Sequence, residues 1–261
     1  MAARRLLLLG GTAEASAIAR ALAGDPAWAV TTSLAGRTSS PRRPPGELRV
    51  GGFGGPAGLA AALGAGGYDV LVDATHPFAA RMRWHAAEAA AAVGVPRLRV
   101  ERPGWAEGPG DRWRRVPDLA AAAGAVAAGP WAKVALTVGR TELAAFAAAG
   151  RPGRSWVVRS IEPPAEVPPG PVEVVLGRGP FDRAAERALL ADHAVDLLVT
   201  KDSGGPDGKL AAARALGLDV LVVDRPPSPP GPLARDVAGA LAWLAGLVGR
   251  SSGPGAQAAA R

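Results

Sequence analysis

Short apolar runs alternate with longer alanine-rich segments along most of the chain. Runs such as Leu6–Leu9 are nearly all hydrophobic, as strands buried on both faces of a sheet are. The intervening segments have the length and composition of helices. In the first half, this pattern predicts strands at Leu6–Leu9, Trp28–Leu34, Leu48–Gly51, Asp69–Ala74 and Arg97–Val100, and helices at Glu14–Ala23, Ala57–Leu63 and Pro77–Val93.

A second, similar series follows the break at Gly129-Pro130. Trp113–Val116 is predicted as an added edge strand and Asp118–Ala128 as a helix, both before that break. After it, the pattern predicts strands at Val134–Val138, Trp156–Ile161, Val172–Leu176, Asp196–Thr200 and Val220–Val223, helices at Glu142–Ala149, Phe181–His193 and Lys209–Leu216, and a closing helix.

The alternation of strands and helices predicts an α/β fold with two Rossmann-like parallel-sheet domains and an interdomain cleft. We expect the first domain at 1–129, the second at 130–249 and a disordered tail at 250–261. The ligand is expected between the domains.

Composition narrows the chemistry available to a chain of this size. The 261 residues are 48% hydrophobic, which is enough for a substantial core. The absence of cysteine excludes disulfides and thiolate chemistry, and three scattered histidines do not form a metal-binding pattern. No apolar run reaches the length of a membrane span. We therefore expect a cytoplasmic enzyme or binding protein with no metal and no membrane contact.

The net charge of +7 favours an anionic partner. The arginines are dispersed, and no nucleic-acid-binding motif accompanies them, so we expect no nucleic acid partner. A basic nucleic-acid-binding protein nevertheless remains an alternative at this stage. The oligomeric state cannot be predicted from these features.

The first predicted strand runs into Gly10-Gly11-Thr12-Ala13-Glu14, a glycine turn followed by the start of a helix. Such a turn lets backbone N–H groups and the helix dipole face a phosphate. Gly10, Gly11, Thr12 and Glu14 are therefore candidate cofactor-binding residues. A purely structural turn is the alternative, because the full glycine fingerprint of dinucleotide sites is absent.

The end of the second predicted strand bears on which nicotinamide cofactor would bind. An NAD site usually has an acidic residue there, whereas this chain has Ser33, Arg37 and Thr38 and no carboxylate. An arginine among hydroxyl groups suits the 2′-phosphate of NADP. The sequence therefore predicts NADP, with an exposed polar loop as the alternative.

Asp73-Ala74-Thr75-His76-Pro77-Phe78 follows the fourth predicted strand, where open sheets bind ligands. Asp73 and Thr75 are candidate cofactor residues, and Pro77 and Phe78 are candidate substrate residues. His76 is a candidate catalytic residue. The alternative is that Thr75 or His76 only caps a helix that begins with Pro77.

A lysine-bearing loop, Thr200-Lys201-Asp202-Ser203-Gly204-Gly205, follows a predicted strand in the second half. It holds one of only three lysines, in a chain whose usual cation is arginine. Other strands of this half are followed by further cations, and together these would suit a polycarboxylate. The candidate substrate-binding residues are Arg140, Arg159, Ser160, Arg178, Lys201, Asp202, Ser203 and Gly204, and Lys201 is also a candidate catalytic residue.

Taken in order, these motifs resemble the precorrin-6A reductase family of cobalamin biosynthesis. The resemblance spans roughly Leu6 to Pro226. It is carried by Gly10-Gly11-Thr12-x-Glu14, Ser33-x-x-Gly36-Arg37, Asp73-Ala74-Thr75-His76-Pro77-Phe78-Ala79, Arg99-x-x-Arg102-Pro103-x-Trp105, Val138-Gly139-Arg140, Arg159-Ser160-Ile161-x-Pro163-Pro164, Gly179-Pro180-Phe181 and the Thr200 to Gly205 loop.

The resemblance implies an NADPH-dependent reductase that acts on an anionic tetrapyrrole, precorrin-6A. It implies delivery of hydride to carbon 19 and a proton to carbon 18 of the 18,19 double bond, which gives precorrin-6B. The proton donor stays open among His76, Lys201 and ordered water. A non-catalytic NADP-sensing module is a second alternative, since it would need only the first half.

Overall fold

The computed structural model of the protein describes residues 2–36, 43–179 and 181–250. The chain divides into two compact units. Unit 1 combines the chain up to Arg102 with the chain from Pro227 onward, and unit 2 is Pro103–Pro226. The predicted tail at 251–261 lies outside the described residues. No helix in the described ranges is both long enough and apolar enough to cross a membrane.

Unit 1 is built on a six-stranded sheet in the order β12-β5-β4-β1-β2-β3, and all the paired strands are parallel. Its strands are β1 (Arg4–Leu9), β2 (Trp28–Leu34), β3 (Glu47–Val50), β4 (Val70–Asp73), β5 (Arg97–Val100) and β12 (Leu233–Ala234). Its helices are α1 (Ala13–Ala21), α2 (Pro56–Ala65), α3 (Ala80–Val93) and α7 (Val237–Arg250).

The core of unit 1 lies on both faces of this sheet, because successive side chains of a strand point to opposite sides. In β1, Leu6 and Leu8 belong to a cluster that includes α1 and α7 residues. Leu7 and Leu9 belong to a second cluster with residues of α2 and α3. This two-sided burial explains the continuous run of leucines at residues 6–9 of β1.

Unit 2 repeats the arrangement, with a parallel six-stranded sheet in the order β6-β11-β10-β7-β8-β9. Its strands are β6 (Trp113–Val116), β7 (Lys133–Leu136), β8 (Ser155–Ser160), β9 (Val172–Leu176), β10 (Leu197–Lys201) and β11 (Asp219–Val223). Its helices are α4 (Leu119–Ala128), α5 (Arg183–Asp192), α6 (Gly208–Ala215) and a 3-10 helix at Arg140–Ala149, where the sequence predicts an α-helix.

The edge strands β12 of unit 1 and β6 of unit 2 do not follow the chain order of the other strands in their sheets. After β5 the chain enters unit 2 and supplies β6, whose residues pair in parallel with β11. After β11 it returns to unit 1, where β12 pairs with β5. The division therefore differs from the expected boundary near Gly129: residues 103–129 belong to unit 2, and the closing helix belongs to unit 1. Side-chain packing explains the latter, since Ala240 and Leu244 complete the core beneath Leu6 and Ile18.

Each sheet has one point at which successive connections leave in opposite directions. In unit 1 it lies between β1 and β4, and in unit 2 between β7 and β10. Ligands of open α/β sheets bind at the carboxyl ends of the strands at such a point. The predicted site residues follow these strands or their neighbours.

Candidate cofactor and substrate sites

The turn after β1 is held against β2 and β4. The Gly10 N–H donates to the Ser33 carbonyl at 2.9 Å, and a Cβ at Gly10 would lie 3.0 Å from the Thr32 side chain. Gly11 has a φ of +108°, which favours glycine, and faces open space. Thr12 caps α1 by accepting the Ala15 N–H, and its hydroxyl donates to the Ala74 carbonyl at 2.7 Å. The turn thus presents the start of α1 at the carboxyl edge.

Glu14 in the first turn of α1 forms an ion pair with Arg102 at 2.9 Å. Burial alone raises the pKa of Glu14, but hydrogen bonds and the positive charge of Arg102 outweigh that effect and lower the pKa below its usual value. Glu14 is therefore ionised and committed to a protein partner. Its predicted contact with the cofactor stays a prediction.

The end of β2 places Ser33 beside Arg49 of β3. The two residues are register partners in the parallel pair, and Arg49 Nη1 lies 3.5 Å from Ser33 Oγ. Arg49 also donates to the Gly51 and Gly52 carbonyls and stacks 3.8 Å from the Phe53 ring centre. The predicted 2′-phosphate residues Arg37 and Thr38 lie outside the described residues.

Asp73, at the end of β4, is completely buried. Its Oδ1 accepts hydrogen bonds from the Thr75 N–H and hydroxyl, and from Arg99 at 3.0 Å. Arg99 is 4% exposed and also pairs with Glu101 at 2.9 Å, which in turn lies 3.4 Å from buried Arg83. With no exposed surface, Asp73 shapes the turn from within, which differs from the direct ligand contact that the sequence predicts.

His76 and Phe78 occupy the turn after this buried cluster. The His76 Nδ1 accepts the Phe78 N–H at 3.2 Å, so in the neutral ring the proton is on Nε2. Pro77 is buried, and its carbonyl accepts a hydrogen bond from Arg83. Helix α3 begins at Ala80 and has no side-chain cap. The expectation that Pro77 begins the helix is therefore wrong, because His76 and Arg83 hold residues 76–78 in a turn.

In unit 2, the carboxyl ends of β7 and β10 are joined by one glutamate. Lys201 Nζ lies 2.6 Å from Glu142 Oε2, and the same oxygen accepts the Gly139 N–H at 2.6 Å. The lysine side chain is 12% exposed and the glutamate 24%. Lys201 thus lies where the sequence predicts, but it has an internal counter-ion.

The other predicted cations lie along the same edge. Arg140 pairs with Glu162, and Arg159 pairs with Glu186 and stacks 4.5 Å from the Phe181 ring centre. The Ser160 hydroxyl donates to the Glu162 carbonyl at 2.6 Å. Arg178 is exposed in the turn after β9. Since the strands are parallel, the ends of β7, β8 and β9 bring these residues to the same edge as Lys201 at the end of β10.

The remainder of the lysine loop is tightly folded. Gly204 has a φ of +66°, and the Ser203 N–H donates to the Lys201 carbonyl. Asp202 is 5% exposed, and both of its carboxylate oxygens have protein partners. Asp202 and Gly204 are both buried, so among the three predicted substrate contacts in this part of the loop only Ser203 is partly exposed.

Sequence reasoning missed the residues that support the predicted ones. Arg99 was visible only as part of a motif, and its partner Asp73 lies on another strand. Glu142, Glu162 and Glu186 were missed because nothing local marks a glutamate as the partner of a distant cation. For Arg49, strand alignment was the available signal, because β3 pairs with β2 at Ser33.

Comparison with known proteins places this geometry in a family. Residues 5–245 match the family model described as Precorrin-6x reductase CbiJ/CobK. The chain belongs to this family. It is 46% identical to a precorrin-6A reductase of Rhodococcus erythropolis over 94% of this chain and 99% of that protein. It is 43% identical to one of Rhodobacter capsulatus, over 92% of this chain and 96% of that protein.

A solved structure of a CobK precorrin-6A reductase supports the fold. It is 42% identical, covers 93% of this chain and 96% of its own, and has a TM-score of 0.86. A reductase family with Rossmann-like units implies a nicotinamide cofactor. The turn at Gly10 and Gly11 fits such a group, because it leaves open space at the start of α1.

Proposed function

We propose that this protein is an NADPH-dependent precorrin-6A reductase, which reduces the 18,19 double bond of the macrocycle to give precorrin-6B. The observation that carries the proposal is the similarity to precorrin-6A reductases over nearly the whole chain, at 43% to 46% identity. The two carboxyl edges suit this reaction, since one resembles a dinucleotide turn and the other collects cations.

Unit 1 binds the cofactor in this proposal. Gly10 and Gly11 allow the pyrophosphate to approach the start of α1, and Ser33, Arg37 and Thr38 hold the 2′-phosphate. Arg49 lies beside Ser33 and adds positive charge there. The cofactor supplies hydride to the macrocycle.

Unit 2 binds the substrate in this proposal. Arg140, Arg159, Arg178 and Lys201 provide charges for acetate and propionate groups, as arginine and lysine do for other carboxylates. Three of these cations already have glutamate partners in the protein. Substrate carboxylates must therefore displace these glutamates or share the cations with them.

The protein's remaining task is to deliver one proton to carbon 18 while hydride reaches carbon 19. His76 and Lys201 are the candidate donors among the side chains, and ordered water is the third. When the His76 imidazole is neutral, its one N–H proton is on Nε2, because Nδ1 accepts the Phe78 N–H.

The substrate in this proposal is the metal-free macrocycle. Relatives named precorrin-6A reductase are 43% to 46% identical to this chain, whereas two named cobalt-precorrin-6A reductase, from Priestia megaterium and Methanothermobacter thermautotrophicus, are 32% and 30% identical. Comparing kcat/KM for the two macrocycles tests this choice. A higher value for the cobalt form would overturn it.

The direct test of the function is an anaerobic assay of NADPH oxidation with precorrin-6A. We expect one NADPH to be oxidised for each macrocycle reduced, and a slower rate with NADH. Binding of NADPH without any reaction or tetrapyrrole binding would favour the sensing module. Salt-dependent binding to DNA or RNA with no cofactor preference would favour the nucleic-acid alternative.

A further inference from the structure

Asp202 of the lysine loop described above is bonded through its carboxylate, its N–H and its carbonyl, although the sequence predicts that it touches substrate. Its carboxylate accepts the Trp105 N–H at 2.9 Å through Oδ1, and Arg115 at 2.8 Å through Oδ2. Its N–H donates to the Val223 carbonyl, and its carbonyl accepts Arg225 Nε at 2.8 Å. With 5% exposure, it has little surface left for a ligand.

These partners lie where the chain enters and leaves unit 2. Trp105 is close to the entry at Pro103, and Arg225 is next to the exit at Pro226. The approach of the entry segment is close, because a Cβ at Gly104 would be 2.6 Å from Asp202 Oδ2. A side chain at this position would displace the Asp202 carboxylate from its partners, and Asp202 bonds both segments to the loop.

Trp105 holds the far end of the same loop. Its indole Nε1 donates to the Gly205 carbonyl at 2.9 Å, while its backbone N–H bonds to Asp202. The two hydrogen bonds bracket Asp202–Gly205, a segment in which Gly204 and Gly205 both have positive φ. Glycines leave this segment conformationally free in the absence of outside contacts.

We propose that Asp202 and Trp105 are positioning residues, which hold the loop in the shape that presents Lys201 and Ser203 to the substrate. Asp202 does not contact the macrocycle. Its negative charge is paired inside the protein with Arg115 at 2.8 Å and with Arg225 at 3.8 Å, which keeps it from repelling substrate carboxylates. This inference rests on the proposed function, since the substrate is taken to be an anionic tetrapyrrole.

The direction in which the KM for precorrin-6A changes distinguishes a positioning role of Asp202 from direct contact with the substrate. If Asp202 holds the loop, Asp202→Ala should raise the KM for precorrin-6A about tenfold or more, as expected for loss of charge-assisted hydrogen bonds. Asp202→Asn keeps an acceptor for the Trp105 N–H but loses the charge-assisted bond to Arg115, so KM should rise less than in Asp202→Ala. NADPH affinity should not change. If Asp202 lay against substrate carboxylates, both substitutions would lower KM alike.

Trp105→Phe provides a test without any change of charge. It keeps an aromatic side chain but loses the hydrogen bond to Gly205 and part of the ring surface that packs on the unit 2 core and lies 4.9 Å from Lys209 Nζ, so KM should rise about three- to tenfold. Trp131→Phe is the matched control, because its indole donates at 2.8 Å to Asp219 at the start of β11. Asp224→Asn is the second control, since Asp224 also pairs with Arg115 but lies outside the loop. Both controls should leave KM within about twofold, the range of a typical exposed pair.

Hydrogen exchange gives a readout that does not depend on activity. Amides of residues 203–205 should exchange faster in Asp202→Ala and Trp105→Phe, but not in Trp131→Phe. Unchanged exchange together with unchanged KM in Trp105→Phe would overturn the proposal, and this variant decides the matter if Asp202→Ala does not fold. If wild-type protein shows no reaction with precorrin-6A, the proposed function fails, while the exchange rates still test the positioning role.

Discussion

At the carboxyl edge of unit 1 the charged cluster around Asp73 and Arg99 is buried and bonded together, whereas at that of unit 2 the pair of Arg140 and Glu162 reaches the surface. Asp73 and Arg99 have side-chain exposures of 0% and 5%, while Arg140 and Glu162 have 39% and 22%. Other unit 2 groups are less exposed, with 13% and 7% for Arg159 and Glu186 and 12% for Lys201. The two edges use the same strand order but different electrostatics.

This difference in the burial of charged groups fits two different binding functions. A buried hydrogen-bonded network fixes the backbone, and in unit 1 Arg99 bonds to the Asp73 and Thr75 carbonyls as well as to carboxylates. An exposed pair gains little energy from its internal partner, so it can exchange that partner for a ligand carboxylate at small cost. Unit 1 therefore suits a cofactor that needs a rigid turn, and unit 2 suits a polyanionic substrate.

The largest expected effect contrasts Arg99 with Arg140. Arg99→Ala leaves Asp73 and Glu101 buried without their shared cation, which should lower the free energy of unfolding by about 3–5 kcal/mol. Arg140→Ala removes an exposed partner and should cost less than about 1 kcal/mol. Calorimetric unfolding of both variants measures the difference, and equal losses would remove the distinction between the two edges.

The next effect concerns cofactor choice. Arg37→Ala should weaken NADPH binding by about 1.5–3 kcal/mol, the worth of a charge-assisted phosphate contact, and leave NADH binding nearly unchanged. Arg43→Ala, a nearby exposed arginine, is the control. Titration calorimetry with both cofactors measures the affinities. An equal loss for NADPH and NADH would rule out the assignment of Arg37 to the 2′-phosphate.

A smaller effect tests whether the glutamates of unit 2 compete with substrate. Glu142→Gln keeps an acceptor for the Gly139 N–H but removes the counter-charge of Lys201, so the KM for precorrin-6A should fall about two- to fivefold. Steady-state kinetics at fixed ionic strength measure this change in KM. A rise in KM would mean instead that Glu142 orients Lys201 for its contact.

The smallest effect is the pH dependence caused by Glu14. Its pKa is lowered in the folded protein, chiefly by Arg102 acting against burial, so the unfolded state binds the proton more readily. The resulting stability is present above the usual glutamate pKa and is lost as pH falls through the lowered value. Arg102→Ala should reduce the slope of melting temperature against pH in the acidic range. An unchanged slope would contradict the assignment.

Most of the fold was predictable from local pattern, because buried parallel strands are short apolar runs. Trp28–Leu34, Arg97–Val100 and Val172–Leu176 were predicted with their observed bounds. The positions of the edge strands β6 and β12 were not predictable, since nothing in Trp113–Val116 indicates that its partner is β11 rather than β5. Strand β12 has two residues, which is too short to give a pattern.

The location of Gly10, His76 and Lys201 at or just after strand ends was predictable from the sequence. The supporting contacts were not, because they join distant parts of the chain: Arg99 meets Asp73, and Trp105 meets Asp202 across 97 positions. Asp202 was placed among the substrate residues because its loop is polar and glycine-rich. Its burial depends on the entry and exit segments of unit 2, which local sequence does not reveal.

The division of labour between the two edges is tested most directly by the NADPH dissociation constant of Lys201→Ala, measured without substrate. If Lys201 serves the macrocycle, the constant should stay within about twofold of wild type, while the KM for precorrin-6A rises or kcat falls. A drop in NADPH affinity of about tenfold or more, the worth of a lost phosphate contact, would contradict the account and make Lys201 a cofactor residue.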